Sequence, residues 1–142
     1  MSARRGANAA ALMLALALSG GAAAAETAAA RAAVESDAVR LLRELAIADG
    51  LRLSRASLCG YAEDDLGRLA ARLRTQTDAR AREAGVSVDE ARYGDDLYEG
   101  MSQAMSELLK LPAEEIADEH RYQASHCAEV RNDIDALLRQ RP

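Results

Sequence analysis

In the last stretch of the chain, residues 111–142, the candidate core-facing side chains recur at alternating steps of four and three residues. Because an α-helix has 3.6 residues per turn, this spacing puts the whole set on one face of a helix. Pro112 opens the stretch, and proline suits the first turn of a helix, where its missing N–H has no partner to lose. The pattern predicts a long amphipathic helix with an inward face of Ile116, His120, Gln123, Cys127, Val130, Ile134 and Leu137.

Two further helices are predicted near the start of the chain. The first covers about residues 27–49 and ends at Gly50, because glycine is common directly after a helix. The second follows a short connection at 51–56 and reaches about residue 84. Its last part, residues 74–82, is almost wholly polar, which predicts an exposed or frayed end.

A third helix is predicted from Ser87, where Ser-x-x-Glu with Glu90 has the form of a capping box. Gly94 and Gly100 lie inside it, and each costs roughly 1 kcal/mol relative to alanine, which predicts a bend or a close helix contact. The sequence shows no alternating strand pattern. We therefore expect an all-α fold, an antiparallel helical bundle of about four helices. The predicted inward face of the third helix consists of Leu97, Met101, Ala104, Leu108 and Leu111, widened by Tyr98 and Met105.

The only two cysteines, Cys59 and Cys127, both fall on inward faces. In an exported chain such a pair predicts one intrachain disulfide, with two buried thiols or an intermolecular bridge as alternatives. The bond matters because the chain has no Trp and no Phe, so its core draws on alanine and leucine. In the chain-entropy model, a loop of this length contributes about 4 kcal/mol.

This disulfide conflicts with a straight bundle. Cys59 would open the second helix and Cys127 would lie four turns into a parallel fourth helix, a height difference of roughly 20 Å. Bonded cysteines need Cα atoms within about 7 Å. We therefore expect a break in the last helix near 120–125, with Ser125 capping a new helix. A break at 94–100 or a large stagger are the alternatives.

Residues 1–25 have the order of a secretory signal peptide. Arg4 and Arg5 precede an apolar run at 9–18, and small residues follow at 22–25. The run is shorter than the roughly 20 residues of a membrane span, so no stable anchor is expected after cleavage. We predict a periplasmic or secreted protein with one helical domain, residues 26–142.

The charge balance argues against nucleic acid as a partner. Without Arg4 and Arg5 the chain keeps 16 basic and 23 acidic residues, a net charge of −7, and phosphate backbones need a basic surface. The sequence also has no Gly-x-Ser-x-Gly elbow, no Cys-x-x-Cys-His motif and no Glu-x-x-His pair. We expect a protein that is not an enzyme and that needs no cofactor.

The third helix carries the best candidate for a partner surface. Tyr93 and Tyr98 flank Asp95 and Asp96, and tyrosine is enriched in protein interfaces. The alternative is that Tyr98 belongs to the core and Tyr93 is merely half exposed.

A second candidate is a metal or haem site that uses His120 with Met101 or Met105. No partner ligand stands at metal spacing, so a histidine bonded to a carboxylate and methionines that fill the core are the simpler interpretation.

The leading hypothesis is a small exported binding protein of the cell envelope, of the inhibitor, immunity, adaptor or chaperone type. Its partner would be another protein, and a homodimer stays open because helical stripes also pair between chains.

Overall fold

The computed structural model describes the backbone of residues 12–140 and the side chains of residues 25–140. Arg4 and Arg5 of the predicted leader lie outside that range. The helices are α1 (Leu12–Leu58), α2 (Glu63–Glu83), α3 (Glu90–Leu108), α4 (Ala113–Ala117) and α5 (Glu119–Arg139). Residues 12–140 contain no strand, which confirms the all-α prediction.

The chain divides after Asp37 into two compact units, and the bundle is the unit that begins at Ala38. It contains the end of α1 and the helices α2 to α5. In the described part of the chain, no helix has the length and hydropathy needed to cross a membrane.

Ion pairs and hydrogen bonds fix the directions of the helices. Arg43 and Arg55 of α1 pair with Glu99 and Glu107 of α3 in the same order, so these two helices run parallel. Similarly, the Tyr61 hydroxyl just before α2 donates to Asp135 of α5. Gln76 farther along α2 lies 3.5 Å from Gln140, so α2 and α5 also run parallel. Short turns join the two pairs, and the predicted antiparallel bundle is confirmed.

The centre of the core is small, as the composition predicted. Four residues are fully buried there and come from α1, α2 and α5. Burial gains roughly 25 cal/mol per Å² of apolar surface, so leucine and isoleucine contribute more than the alanines around them. The four are Ala56, Leu69, Leu73 and Ile134.

Gly50 does not end the first helix, and this prediction was wrong. It lies buried inside α1, where a Cβ atom would overlap the backbone carbonyl oxygen of Leu97. Gly100 of α3 is the reciprocal case, because its Cβ would overlap the carbonyl oxygen of Ile47. The two glycines let the backbones of α1 and α3 meet directly, which confirms the close contact expected at Gly100.

Residues 51–56, predicted as a connection, continue α1 to Leu58, and the chain turns at Gly60 with φ 81°. Cys59 therefore lies in a turn rather than on a helix. It is bonded to Cys127 with a Cα–Cα distance of 5.6 Å, which confirms the disulfide.

The last helix does break, but at Asp118 and not near 120–125. The Asp118 side chain accepts a hydrogen bond from the Arg121 N–H and so caps α5, whereas Ser125 lies inside that helix. Cys59 precedes α2 by four residues, but Cys127 follows the start of α5 by eight. The two parallel helices are therefore staggered by about three turns. The break at Asp118 and this stagger together bring Cys59 and Cys127 to the same level.

Two helix-end predictions also need correction. Asp89, not Ser87, caps α3 by accepting a hydrogen bond from the Arg92 N–H at 2.8 Å. Glu90 pairs with Arg74 instead of closing a capping box. The polar end of α2 is not frayed, because Thr77 and Ala81 within it are buried. α3 ends at Leu108, so Leu111, which was predicted on its inward face, lies beyond the helix.

Candidate protein-binding surface

The outer side of α3 carries a continuous row of exposed apolar side chains. Tyr98, Met101, Met105 and Leu109 follow one another at steps of three, four and four, so they share one face; we call them the α3 apolar face. Their exposed fractions are 71, 40, 49 and 73%. Leu109 stands at the C-cap of the helix.

This face corrects the predicted inward stripe of α3. Ala104 is buried as predicted, but Met101 and Met105 of the predicted inward face are exposed, and Gly100 is buried beside Ala104. The close approach to α1 selects the small residues for the inner side. The helix is thereby rotated, and its large apolar side chains are left outside.

The structure separates the four residues of the predicted partner surface. Tyr98 and Asp95 are exposed. Asp96 is buried, and its Oδ1 lies 3.4 Å from the Nε of Arg43. Tyr93 is half-buried and points its hydroxyl to another acid, Asp49.

That acid forms the centre of a buried polar cluster that the sequence did not reveal. Asp49 is 3% exposed, and its Oδ2 accepts hydrogen bonds from the Thr77 hydroxyl at 3.0 Å and the Tyr93 hydroxyl at 3.1 Å. Arg52 lies 3.8 Å from its other oxygen. The cluster joins α1, α2 and α3 through one carboxylate.

Burial raises the pKa of Asp49 above its usual value, although the hydrogen bonds from Thr77 and Tyr93 and the charge of Arg52 oppose the shift. Burial and the same carboxylate raise the pKa of Tyr93. Arg74 lies over the Tyr93 ring at 4.7 Å. Within the described residues no buried side-chain polar atom lacks a hydrogen bond. The cluster is therefore a hydrogen-bonded polar link between the three helices.

Neither histidine occupies the core. His120 lies in the first turn of α5 and is exposed, so its predicted inward position was wrong. The helix starts only at Glu119, and the core-facing series begins farther along, with Cys127 and Ile134. His126 pairs with Glu115, with the Nε2 atom 3.2 Å from the Oε2 atom.

His120, Met101 and Met105 all lie at the surface and do not meet inside the bundle. Among the residues that the structure describes, no group of three His, Cys, Asp or Glu side chains is placed to hold a metal ion.

A cavity of about 330 Å³ opens between the ends of α1 and α3 and the first half of α5; we call it the α3–α5 cavity. Leu108 and Glu107, which line it, adjoin Met105 and Leu109 on the same helix. Arg55 of α1 crosses to Glu107 at 2.7 Å. Tyr122 and His126 form part of its α5 wall, with ring centroids 5.0 Å apart.

Comparisons with protein-family models, with curated proteins and with solved structures find no match to this chain. Function is therefore inferred from the sequence and the geometry of this chain. The two features that stand out are the α3 apolar face and the cavity beside it, while the Asp49 cluster is buried and satisfied.

Proposed function

We propose that this chain is a non-enzymatic protein-binding domain that contacts its partner through the α3 apolar face. The observation that carries the proposal is the exposure of Tyr98, Met101, Met105 and Leu109 along a single helix face. Contiguous apolar patches on soluble domains mark interaction sites, whereas scattered apolar residues do not. Tyrosine gives a rigid contact, and methionine adapts its shape to a partner.

The energy available from this face suits a specific complex. Burying one such side chain fully gains roughly 1.5–3 kcal/mol, and less for the half-exposed methionines. The sum is comparable to the roughly 4–15 kcal/mol that association costs. The face can therefore anchor a partner but needs help from its surroundings to bind tightly.

The setting that we propose is the cell envelope. A disulfide suits an oxidising compartment, and the leader-like residues 1–25 give the chain a route of export. An inhibitor, an immunity protein, an adaptor or a chaperone would each use such a surface. The first three bind one stoichiometric partner, and a chaperone binds many.

The test is a pull-down of the chain tagged at its C-terminus and exported in its own host. The wild type is compared with the double variant Tyr98→Ser/Met105→Ser and with the control Ala71→Ser, an exposed position on α2. Losing two anchors costs about 2–4 kcal/mol of binding, which lowers recovery of the partner more than about tenfold. Equal recovery of the same partner by the double variant would refute the proposal.

A further inference from the structure

We infer that the partner is basic: it lays a cationic segment with apolar side chains along α3 and inserts an arginine side chain into the α3–α5 cavity. This inference rests on the proposed function and adds the chemistry of the partner. It is carried by the charge of the segment around the α3 apolar face and by the walls of the cavity.

The negative charge of the chain is concentrated in one segment. Residues 89–119 hold ten acidic and two basic residues, a net charge of −8, whereas the rest of the chain holds 13 acidic and 16 basic residues. That segment contains α3, α4 and the whole α3 apolar face. The acids are Asp89, Glu90, Asp95, Asp96, Glu99, Glu107, Glu114, Glu115, Asp118 and Glu119.

Part of this charge is already neutralised inside the protein. Arginines of α1 and α2 pair with Glu90, Asp96, Glu99 and Glu107. Asp95, one turn before Tyr98, has no ion pair within the described chain. The apolar face is therefore bordered by acids that an arriving cation can engage, and such charges raise the association rate and select the partner.

The same charge argues against a second copy and against an anionic membrane surface. α3 itself holds five acids and one base, so pairing it with α3 of another molecule would bring two negatively charged helices together around a small apolar strip. Like charges placed opposite each other across an interface are unfavourable. An anionic lipid surface attracts basic segments, and this segment is acidic.

The α3–α5 cavity has the composition that an arginine side chain requires. Leu108, Leu111 and Val130 supply apolar walls for the aliphatic stem. Tyr122 supplies an aromatic ring for the guanidinium group. Glu129 also lines the cavity, and it has no ion pair in the described part of the chain, so its carboxylate can accept hydrogen bonds from the guanidinium.

The other carboxylate that lines the cavity, Glu107, is paired with Arg55. Glu129 is therefore the carboxylate of the cavity that is left for a cation to engage. The cavity volume, about 330 Å³, lies at the lower end of the range for ligand pockets, which suits one side chain rather than a large ligand.

The cavity is tested with butylguanidinium, which reproduces the end of an arginine side chain, and with butylurea, a neutral molecule of nearly the same shape. Both are titrated to about 50 mM into the isotope-labelled protein, since fragments of this size bind in the millimolar range. We expect saturable NMR shifts at Tyr122, Leu111 and Val130 with butylguanidinium only. Equal shifts with butylurea, or none with butylguanidinium, would overturn the cavity assignment.

Two variants distinguish a direct contact in the cavity from the long-range electrostatic attraction of the whole protein. Glu129→Gln and Glu114→Gln remove the same charge, but Glu114 lies on α4 and does not line the cavity. We expect Glu129→Gln to weaken butylguanidinium binding at least about fivefold and Glu114→Gln less than about twofold, because only the former loses a direct hydrogen bond. Equal effects would reduce the site to long-range attraction and contradict the inference.

This probe does not use the α3 apolar face, so the two proposals can fail separately. If Tyr98→Ser/Met105→Ser loses the partner while butylguanidinium does not bind, the inference fails and the proposed function stands. If butylguanidinium binds but the double variant keeps the partner, the proposed function fails. A captured partner must also bind at least about tenfold more weakly when NaCl rises from about 50 to 300 mM, and indifference to salt would exclude a basic partner.

Discussion

The close crossing of α1 and α3 makes a quantitative prediction about Gly100. A Cβ atom there would overlap the Ile47 carbonyl oxygen and lie 2.8 Å from the carbonyl carbon and 3.0 Å from the Leu51 nitrogen. These are backbone atoms of α1, so no rotamer change relieves the overlap and a whole helix must move. Overpacking of this kind costs roughly 1–3 kcal/mol, occasionally more. We expect Gly100→Ala to destabilise the protein by about 2 kcal/mol, even though alanine is the better helix former.

Gly94 provides the matched control on the same helix. Nothing lies within 4 Å of its Cβ position. Gly94→Ala should therefore stabilise the protein by about 0.5–1 kcal/mol through helix propensity alone. Gly67→Ala on α2, also in open space, should behave in the same way.

The assay is urea unfolding of the oxidised protein, followed by far-ultraviolet circular dichroism. The free energies of unfolding of Gly100→Ala and Gly94→Ala should differ by about 2–3 kcal/mol, with similar m-values. If Gly100→Ala is as stable as Gly94→Ala, the backbones of α1 and α3 are not in contact. The rotation that exposes the α3 apolar face would then lose its physical cause.

Three further predictions concern the polar cluster, an ion pair and the disulfide. Asp49→Ala should cost about 1–3 kcal/mol because it leaves the Thr77 and Tyr93 hydroxyls without an acceptor. Asp49→Asn keeps a hydrogen-bond acceptor but cannot ionise. Because burial raises the pKa of Asp49 in the folded protein, the ionised carboxylate lowers the stability of the wild type at neutral pH. This loss becomes smaller as the pH falls toward the folded-state pKa. Urea midpoints from pH 7 to 4 should therefore rise for wild type relative to Asp49→Asn, and a constant difference would contradict this. Arg74 holds the pKa of Glu90 below its usual value, so that pair stabilises the fold above pH 4.5 and less as pH falls through the lowered pKa; Glu90→Gln should remove this part of the pH dependence, as chemical denaturation can show. Cys59→Ser/Cys127→Ser opens a link between residues 68 apart and should lower the unfolding free energy by about 4 kcal/mol, and an unchanged urea midpoint would show that the loop is already constrained.

The sequence predicted the parts of the fold that helical periodicity controls. Cys127 and Ile134 stand seven residues apart on the predicted inward face of the last helix, and both are buried. The disulfide followed from two cysteines on such faces. It also showed that the last helix could not be continuous and level with the second.

Glycine was the source of the main errors. Gly50 has the same sequence signature whether it follows a helix or lets another backbone approach, and only the neighbouring helix decides. Because Gly50 was predicted to end the first helix, α1 was predicted too short, and Asp49 was placed at the end of the helix instead of inside it. On α3, the glycine contact turned Met101 and Met105 outward, although their spacing matched the core pattern.

The same glycine contact separates the four residues of the predicted partner surface. Tyr98 and Asp95 are exposed, whereas Tyr93 and Asp96 turn inward to a polar link and to Arg43. A single sequence does not reveal which side of an amphipathic helix faces a neighbour when both sides carry apolar residues.

Hydroxyl-radical footprinting of the captured complex shows whether the α3 apolar face lies in the interface with the partner. Methionine is readily oxidised, and the chain contains only Met1, Met13, Met101 and Met105, the first two within the predicted leader. In the free protein both Met101 and Met105 are accessible, at 40 and 49% exposure. Binding of the partner to the α3 apolar face should slow their oxidation at least about fivefold, because a partner buries the centre of its interface. Oxidation of both methionines at the free rate in a saturated complex would show that the partner binds elsewhere.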